Sequence, residues 1–555
     1  MTQIKRIAWS LPTEKTAHQA TFPTTMAATA ERSQLEPRVA LDTPAILAQL
    51  LRPLAAVLSR VGYRRHGSRE LVPADILLPA GFAAEVVATG FDAPTGCAFD
   101  DTGFAYVFES GHKSNSAPRI VRVEPSTGEK TVFFEFPADR AFKVGALTGG
   151  TWHDGWLYLS NTDTVSRIDR QGRIEDLVTG LPGRGDHQVN PPRVGPDGRL
   201  YFAVGSVTNS GVVGPDNAAF EWLADFPDVH DVPARDVTLA GRNFESHDIL
   251  GNQLRTVNTG AFVPYGTATT EGQVVAGELK STALLRCDLD GSNLGVVAWG
   301  LRNPHGIDFD RSGRLFVTEH GMDSRNRHVI GDYDDFYEIV EGAWYGWPDF
   351  ASGLRLDDER WGQGGSGREP VLAEHPDPDP PKPFVTFRPH EAANGFAFAR
   401  DDAFGFDGDA FVALFGDLAP VTTARLLSPM GYKVVRVDMA ARDVVDFAVN
   451  RIAGPASKLP HGGFERPSHC VFGPDGALYV TDFGEIDIAP EAGGVRVQAG
   501  TGTLWRIRRT GGTIGSRPPA PRSVPLYLAQ LAAWAATPIA AAGGLLLLRR
   551  LRRRR

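Results

Sequence analysis

A short pattern that recurs six times along the chain restricts the fold more than any other feature. Each copy has apolar residues, a turn that ends in glycine, and a run of alternating aromatic and aliphatic residues, as in VGPDGRLYFAVG and FGPDGALYVTD. Turns of the Asp-Gly and Ser-Gly type between such runs favour β-hairpins, and the alternation suits half-buried strands. The turn glycines are Gly103, Gly155, Gly198, Gly313, Gly408 and Gly476.

Six hairpin units predict an all-β chain that folds as a six-bladed β-propeller over residues 75–510. The wide gap between Gly198 and Gly313 predicts an insertion at about residues 216–274, formed by loops over one face. The last strand, residues 502–511, is expected to close the ring against residues 81–89. A β-sandwich is the alternative architecture, but it does not require six similar glycine turns.

The C-terminal part of the chain has a different composition. Residues 523–548 contain no charged residue and predict a transmembrane helix, preceded by a proline-containing linker at 511–522. A buried core helix is the alternative, but such a helix would be amphipathic. Residues 549–555, RRLRRRR, form a basic tail. Because basic residues favour the cytoplasmic side, we expect a membrane-anchored protein with an extracytoplasmic propeller, although residues 1–40 show no signal peptide.

Composition excludes several functional classes. The net charge of −9 includes the six arginines of the basic tail, so the remainder of the chain is more acidic, which argues against nucleic-acid binding. The three cysteines lie far apart and exclude a disulfide framework, a multi-cysteine zinc site and a CxxCH haem attachment. Residues 1–70 are expected to form a partly disordered N-terminal extension.

Two polar segments stand next to predicted strands and carry candidate catalytic residues. His187 follows Asp186, and a histidine beside a carboxylate can act as a general base near neutral pH. The alternative is a surface histidine in a polar turn. Arg302 and Asn303, in GLRNPHG, offer donors for carboxylate or quinone oxygens. The alternative is a structural arginine that binds loop carbonyls.

Two further segments suggest a metal and an anion partner. Residues 319–323, EHGMD, precede Asp334 and Asp335, and backbone carbonyls with carboxylates are ligands that suit calcium. Solvated acidic loops are the alternative. Arg466 would lie at the same end of the central channel as Arg302 if the strands of its blade have the same register as those of the blade that carries Arg302.

In order and spacing, these segments resemble the glucose/sorbosone dehydrogenase family, which uses pyrroloquinoline quinone (PQQ) and calcium on a six-bladed propeller. The resemblance covers about residues 75–510. Its most specific part is GLRNPHGIDFDRSGRLFVTEHG, residues 300–321, and WYGWP, GYKVVRV and RPSHCVFGPDGALYVTD support it. The segment LPAGFAAEVVATGFDAPTGCAFD is similar to the first blade of the family.

The resemblance implies roles for the candidate residues. His187 would take a proton from a sugar hydroxyl while hydride passes to PQQ, with Asp186 beside it. Arg302 would polarise the quinone oxygen, Asn303 would bind the cofactor, and Arg466 would pair with a PQQ carboxylate. The carbonyls of Gly321 and Met322 would hold the PQQ-bound calcium, and Asp335 and Tyr345 match a second, structural calcium site. No haem motif is present, so electrons would leave to a separate acceptor.

The chain also departs from the family pattern. Ser206 stands where glucose oxidisers of the family have an aspartate that orients the base. Lys143 stands where they have a glutamine that contacts the substrate. Their PQQ-binding lysine has no clear match: Met430 is nearest, and Lys433 or Arg425 would have to substitute. Two alternatives to a sugar dehydrogenase therefore stay open: a non-catalytic propeller that serves as a binding module, and a calcium-dependent lactonase-like hydrolase.

Overall fold

The structure is a computed structural model of the chain. It describes residues 70–111, 117–136, 147–219, 222–327, 329, 331–361, 368–418, 429–459, 461–489 and 494–522. All of these belong to Asp42–Arg555, the second of two units into which the chain divides. The predicted transmembrane segment 523–548, the basic tail, Lys143, Arg425 and nearly all of the N-terminal extension lie outside the described residues.

The described residues form six antiparallel sheets of four strands around a common axis, with one additional strand on blade 5. The described part of the chain begins with a 3-10 turn (Pro73–Asp75), β1 (Ile76–Leu77) and β2 (Phe82–Phe91). Blade 1 contains β3 (Pro94–Phe99), β4 (Ala105–Glu109), β5 (Arg119–Val123) and β6 (Lys130–Glu135). Blade 2 contains β7 (Leu147–His153), β8 (Trp156–Asn161), β9 (Thr164–Asp169) and β10 (Ile174–Thr179).

Blade 3 is interrupted by the insertion. It begins with β11 (Arg193–Val194) and β12 (Leu200–Ala203). Two short helices, α1 (Pro215–Ala219) and α2 (Trp222–Asp225), follow, and then β13 (Val237–Ala240), β14 (Phe244–His247), β15 (Thr256–Thr259) and β16 (Glu271–Val275). Strands β13 and β16 pair with each other, as do β14 and β15. Strands β17 (Ala283–Cys287) and β18 (Gly295–Trp299) complete the blade. The insertion is therefore more regular than the loops that the sequence suggested.

Blade 4 contains β19 (Pro304–Phe309), β20 (Leu315–Glu319), β21 (Asp334–Glu338) and β24 (Val385–Phe387). Between its last two strands lie the hairpin β22 (Phe350–Ala351) and β23 (Leu354–Arg355) and the 3-10 turn Glu359–Trp361. Blade 5 contains β25 (Ala393–Phe398), β26 (Ala410–Leu414), β27 (Lys433–Asp438) and β28 (Asp443–Asn450), with β1 at its edge.

Blade 6 closes the ring. It follows the 3-10 turn Ala456–Lys458 and contains β29 (Pro467–Phe472), β30 (Leu478–Asp482) and β33 (Gly502–Arg509), with the hairpin β31 (Ile486–Ala489) and β32 (Gly494–Val497) before the last of these. Its outer strand is β2, which pairs with β33 from Phe82 opposite Arg509 to Phe91 opposite Gly502. The predicted closure between the two ends of the propeller is confirmed.

The six turn glycines confirm the six-bladed prediction. Each lies between the first and second strand of one blade, and their φ angles range from 74° at Gly198 to 93° at Gly103. This left-handed conformation favours glycine, because a Cβ atom would clash there. The inner strands of successive blades contact each other around the axis: these are the first strands, except that blade 3 contacts blade 4 through its second strand, β12. Apolar side chains such as Phe316, Phe336 and Phe398 pack between sheets.

No helix in the part of the chain that the structure describes is long and apolar enough to cross a membrane. Residues 511–522 follow the outer edge of the propeller. Gly515 donates a backbone hydrogen bond to the carbonyl of Ala80 (3.0 Å), and Arg522 donates one to the carbonyl of Arg451 (2.9 Å). The segment thus runs from the end of β33 to the end of β28.

Candidate functional site

A cavity of about 340 Å³ lies at one mouth of the propeller axis. Its wall is made by the residues at the start of the innermost strands, among them Thr95, Thr148 and Ser468, and by loops after the second strands. The six turn glycines belong to the opposite ends of these strands. Of the residues predicted from the sequence, Asp186, His187, Arg302, Asn303 and Gly321 line this cavity.

His187 presents a neutral imidazole to the cavity. Its Nδ1 donates to the carbonyl oxygen of Ser206 at 2.7 Å, which leaves Nε2 with a lone pair. Among the described residues, Nε2 has no hydrogen-bond partner. Burial, assisted by the positive charge of Arg302, holds the pKa of His187 well below its usual value. The side chain is therefore an unprotonated base at neutral pH.

Asp186 does not assist His187 directly. Its carboxylate accepts hydrogen bonds from Trp222 Nε1 (2.8 Å), Asn217 Nδ2 (3.2 Å) and an Arg325 guanidinium nitrogen (2.8 Å). Trp222 and Asn217 come from the helices of the insertion. The insertion therefore helps to form the wall of the cavity, and Asp186 anchors it there.

Arg325 is the centre of a buried charge cluster that the sequence did not reveal. Besides Asp186, its guanidinium reaches the carboxylates of Asp323 (2.6 Å) and Asp216 (3.4 Å). Burial raises the pKa of Asp216 to about 6. Burial alone would also raise the pKa of Asp323, but the charges of Arg325 and Arg302 outweigh it and hold this pKa at about 2.

Arg302 is fixed by main-chain and amide oxygens. Its guanidinium donates to the Asn209 side-chain oxygen (2.8 Å), the Asn209 carbonyl (3.2 Å) and the His320 carbonyl (3.4 Å), and it lies 3.5 Å from Asp323. Its backbone N–H donates to the buried carboxyl of Glu319. The guanidinium is thus held rigidly at the cavity wall, 4% exposed.

Asn303 belongs to a chain of polar side chains that links three blades. Its oxygen accepts from Asn190 Nδ2 at 2.9 Å, and its Nδ2 donates to His320 Nδ1 at 3.0 Å. His320 Nε2 donates in turn to the Asn394 side-chain oxygen (2.9 Å). Burial and then the charge of Arg302 lower the pKa of His320 to about 4. The hydrogen bonds therefore determine both the orientation of Asn303 and the tautomer of His320.

Arg466 lies behind the cavity wall. It is 2% exposed, and its guanidinium donates to the carbonyls of Gly416 and Asp417, both at 3.1 Å. The rings of Phe415 and Tyr432 lie on it, 5.1 and 5.0 Å from their centroids. Gly416 and Asp417, not Arg466, line the cavity.

Lys433 and Met430, which the sequence suggested at the position of the PQQ-binding lysine, lie away from the cavity. Lys433 pairs with Asp446 (2.9 Å) and Glu391 (3.3 Å), and the backbone N–H of Met430 donates to Asp417 (2.7 Å). Neither residue lines the cavity.

The four predicted calcium residues, Gly321, Met322, Asp335 and Tyr345, come together around a second, much smaller cavity of about 20 Å³. The Tyr345 hydroxyl is already bound: it donates to the Glu338 carbonyl at 2.8 Å and accepts from the Val340 N–H at 2.9 Å. Glu319 and Asp332 also border this small cavity. Its other wall residues are Gly300, Leu301, Arg302, His320, Tyr337, Trp347, Phe350, Ala351 and Ser352.

Burial favours the protonated, neutral form of the carboxyl groups near the small cavity. Burial raises the pKa of Glu319 to about 8, of Asp334 to about 7 and of Asp332 to about 6. Burial and the charge of Asp332 raise the pKa of Asp335 well above its usual value. Within the described ranges, however, no group of three or more His, Cys, Asp or Glu side chains has an arrangement that could hold a metal ion.

Comparison with protein families confirms the resemblance in the sequence. Residues 287–437 match the model of the glucose/sorbosone dehydrogenase family. The chain is 25% identical over 260 residues to quinoprotein glucose dehydrogenase B of Acinetobacter calcoaceticus. This match covers 42% of the chain and 46% of the relative, so it spans less than half of the relative's length.

Solved structures that are similar to this chain include a PQQ-bound protein and a PQQ domain. The PQQ-bound form of aldose sugar dehydrogenase from Streptomyces coelicolor is 18% identical, covers 78% of this chain and 99% of its own, and gives a TM-score of 0.44. The holo form of the pyranose dehydrogenase PQQ domain from Coprinopsis cinerea is 17% identical, covers 78% of this chain and 97% of its own, and gives a TM-score of 0.46.

Proposed function

We propose that this chain, whose residues 287–437 match the glucose/sorbosone dehydrogenase family, is a quinoprotein dehydrogenase that oxidises an aldose-type sugar. The observation that carries the proposal is His187. It is a buried, neutral imidazole with one nitrogen bound to a carbonyl, and it lines the same cavity as a fixed guanidinium. A base beside a cation suits removal of a hydroxyl proton.

The cavity wall suits the quinone end of PQQ. The Arg302 guanidinium and the Asn303 amide are the donors that would hold a quinone oxygen. When bound, PQQ supplies the acceptor for the hydride that leaves the substrate carbon. A separate electron acceptor would then take the two electrons.

The charges of the wall point to a cation as the companion of PQQ. The two arginines that line the cavity face four aspartates, and the residues are Arg302, Arg325, Asp186, Asp323, Asp334 and Asp417. Burial raises the pKa of Asp334 to about 7, so this group is only partly charged at neutral pH, but negative charge is still in surplus. This surplus would repel a tricarboxylate unless a divalent cation entered with it. We therefore propose calcium, held by the carbonyls of Gly321 and Met322, and a second calcium near Asp335 and Tyr345.

In this mechanism the protein orients the substrate and moves one proton. Nε2 of His187 takes the proton of the substrate hydroxyl as the carbon loses hydride. Arg302, which hydrogen bonds hold in place, stabilises the negative charge that develops near it. Arg466 remains a proposed carboxylate partner, which would require the wall at Gly416 and Asp417 to open.

Titration of the purified full chain with PQQ tests this function. We expect a saturable change in the PQQ absorbance and reduction of a dye by at least one member of a panel of aldoses. Because the wall is acidic, removal of calcium by a chelator should weaken PQQ binding at least about tenfold, which is about 1.4 kcal/mol. If no saturable change appears with or without calcium, the dehydrogenase proposal is wrong and the chain is better regarded as a binding module.

We also propose that residues 523–548 attach the protein to a membrane. The support is their uncharged composition and the position of Arg522, whose N–H donates to Arg451 just after β28. Strand β28 ends on the cavity side of blade 5, because β25 begins there and successive strands alternate in direction. The cavity would then open toward the bilayer.

Flotation with liposomes measures this attachment. The full chain is expected to float with the vesicles, and a chain that ends at Arg522 is expected to remain in the dense fraction. Equal flotation of the two proteins would contradict attachment through residues 523–548. Protease protection in intact cells against inverted vesicles would then report the side on which the propeller lies.

A further inference from the structure

The imidazole of His187 is oriented by the main chain of a neighbouring turn. Its Nδ1 lies 2.7 Å from the carbonyl oxygen of Ser206 but 3.3 Å from the hydroxyl of the same residue. That hydroxyl donates instead to the carbonyl of Thr208 at 2.6 Å. The position of one carbonyl group therefore decides which ring nitrogen of His187 carries the hydrogen.

A buried carboxylate from the insertion holds this turn. Asp231, only 1% exposed, accepts a hydrogen bond from the Val207 N–H and another from the Thr208 hydroxyl, both at 2.6 Å. The Thr208 hydroxyl accepts in turn from the Gly211 N–H at 2.8 Å. Both oxygens of this side chain accept hydrogen bonds from the turn, so Asp231 restrains it from one side. Burial raises the pKa of Asp231 to about 7.

Two main-chain hydrogen bonds connect the turn to both catalytic segments. The Ser206 N–H donates to the Arg302 carbonyl at 2.6 Å, and the Asp186 N–H donates to the Val207 carbonyl at 2.9 Å. A displaced turn would therefore shift His187 relative to Arg302. Misplacement by about 1 Å can cost about 100-fold in rate.

We propose that Asp231 is a positioning residue: it holds residues 206–208 so that the Ser206 carbonyl keeps His187 in the Nδ1–H form, with Nε2 unprotonated. The proposal rests on the proposed function for the role of His187 as the base. The tautomer itself can be measured in protein that contains no cofactor, so the two proposals can fail separately.

Few charged or titratable groups act on His187 and Asp231. Arg302, Asp323 and His320 exert the electrostatic effects on His187, and Asp186 is the charged group that acts on Asp231. None of them accepts a hydrogen bond from Nδ1 of His187. The carbonyl of Ser206 is thus the group through which Asp231 acts.

The test compares Asp231→Asn with Ser206→Ala in the full chain labelled with 15N-histidine, and His187→Ala identifies the signal. In the parent protein and in Ser206→Ala, we expect a single Nδ1–H tautomer of His187. In Asp231→Asn, one of the two acceptors becomes a donor, so both tautomers should appear. With PQQ and substrate, kcat should fall about 10- to 100-fold in Asp231→Asn.

Thr208→Val keeps the test decisive if Asp231→Asn does not fold. It removes one of the two hydrogen bonds to Asp231 and should give an intermediate mixture of tautomers, with a near-UV spectrum like that of the parent. A folded Asp231→Asn or Thr208→Val protein that retains the Nδ1–H form alone would overturn the proposal. So would a change of tautomer in Ser206→Ala, because the side chain would then be the orienting group.

Discussion

Replacing His187 with alanine is expected to lower kcat by about 100- to 10,000-fold, the range that general base catalysis contributes. PQQ binding should be largely unchanged, because His187 contributes no charge to the cavity. The measurement is steady-state dye reduction with the best aldose, together with spectral titration of PQQ on the same preparation. The variant thereby separates proton transfer from cofactor binding.

The expected loss follows from the state in which the protein keeps this imidazole. Burial disfavours its charged form, and the positive Arg302 adds to that effect, so the pKa is well below the usual value. The base is then unprotonated throughout the neutral range, and kcat/KM should show no decline from pH 8 to pH 6 that belongs to His187. A fall centred near pH 6.5 would indicate a solvated histidine instead.

His230→Ala is the matched control for this change. His230 also bonds a main-chain carbonyl through Nδ1, that of Asp228 at 2.8 Å, but it does not line the cavity. We expect kcat within about twofold of the parent for His230→Ala. Turnover retained by His187→Ala would show that another group takes the proton.

Replacing Arg325 with methionine is expected to reduce the free energy of unfolding by about 3–5 kcal/mol, the usual cost of breaking a buried ion pair from one side. The methionine has a similar length but no charge, so Asp186 and Asp216 would lose their cation, and Asp323 would keep only Arg302 at 3.5 Å. Urea unfolding at pH 7, followed by fluorescence, measures the difference.

The loss of unfolding free energy in Arg325→Met should become smaller as the pH falls. Burial raises the pKa values of Asp216 and Asp323 and the charge of Arg325 lowers them, so without Arg325 both pKa values rise and the folded protein binds protons more readily. The destabilisation is thus largest above those raised pKa values and is relieved below them. In the parent protein Asp323 has the opposite effect on the pH dependence, because its pKa is lowered to about 2. It stabilises the fold at neutral pH, and this stability is lost only as the pH falls toward 2.

Arg311→Met is the control for a simple loss of charge. Arg311 pairs with Asp407 on the surface, where its side chain is 57% exposed, and such pairs contribute at most about 1 kcal/mol. A similar loss of stability in both variants would mean that the charge cluster has no special role. A double variant that also carries Asp323→Asn should recover part of the stability of Arg325→Met.

The fold could be predicted because its signals are local. Each turn glycine, such as Gly476, lies within a few residues of the two strands that it joins, and those strands alternate in a recognisable way. The pairing of β2 with β33, which closes the ring, was also predictable. A strand at each end of the repeat has no partner within its own hairpin, so the two strands can pair with each other. The insertion was harder, because its hairpins carry no copy of the repeat.

The site was predictable only where a side chain acts by its own chemistry. His187 and Arg302 were recognised by type and spacing, and both line the cavity. Arg325 was missed because its partner Asp186 is 139 residues away in the chain. The carbonyl of Ser206 was missed because every residue has a carbonyl. Arg466 was recognised by type, but the loop at Gly416 and Asp417 covers it.

Arg451 holds the two ends of the described chain together. Its N–H donates to the Asp75 carbonyl, and its own carbonyl accepts from Arg522. Entry and exit of the polypeptide are therefore adjacent, so a short peptide could join them while new termini are opened at a turn such as the one at Gly476. Circular permutation would thus leave all six blades intact, and the propeller could be inserted into another protein as a single module.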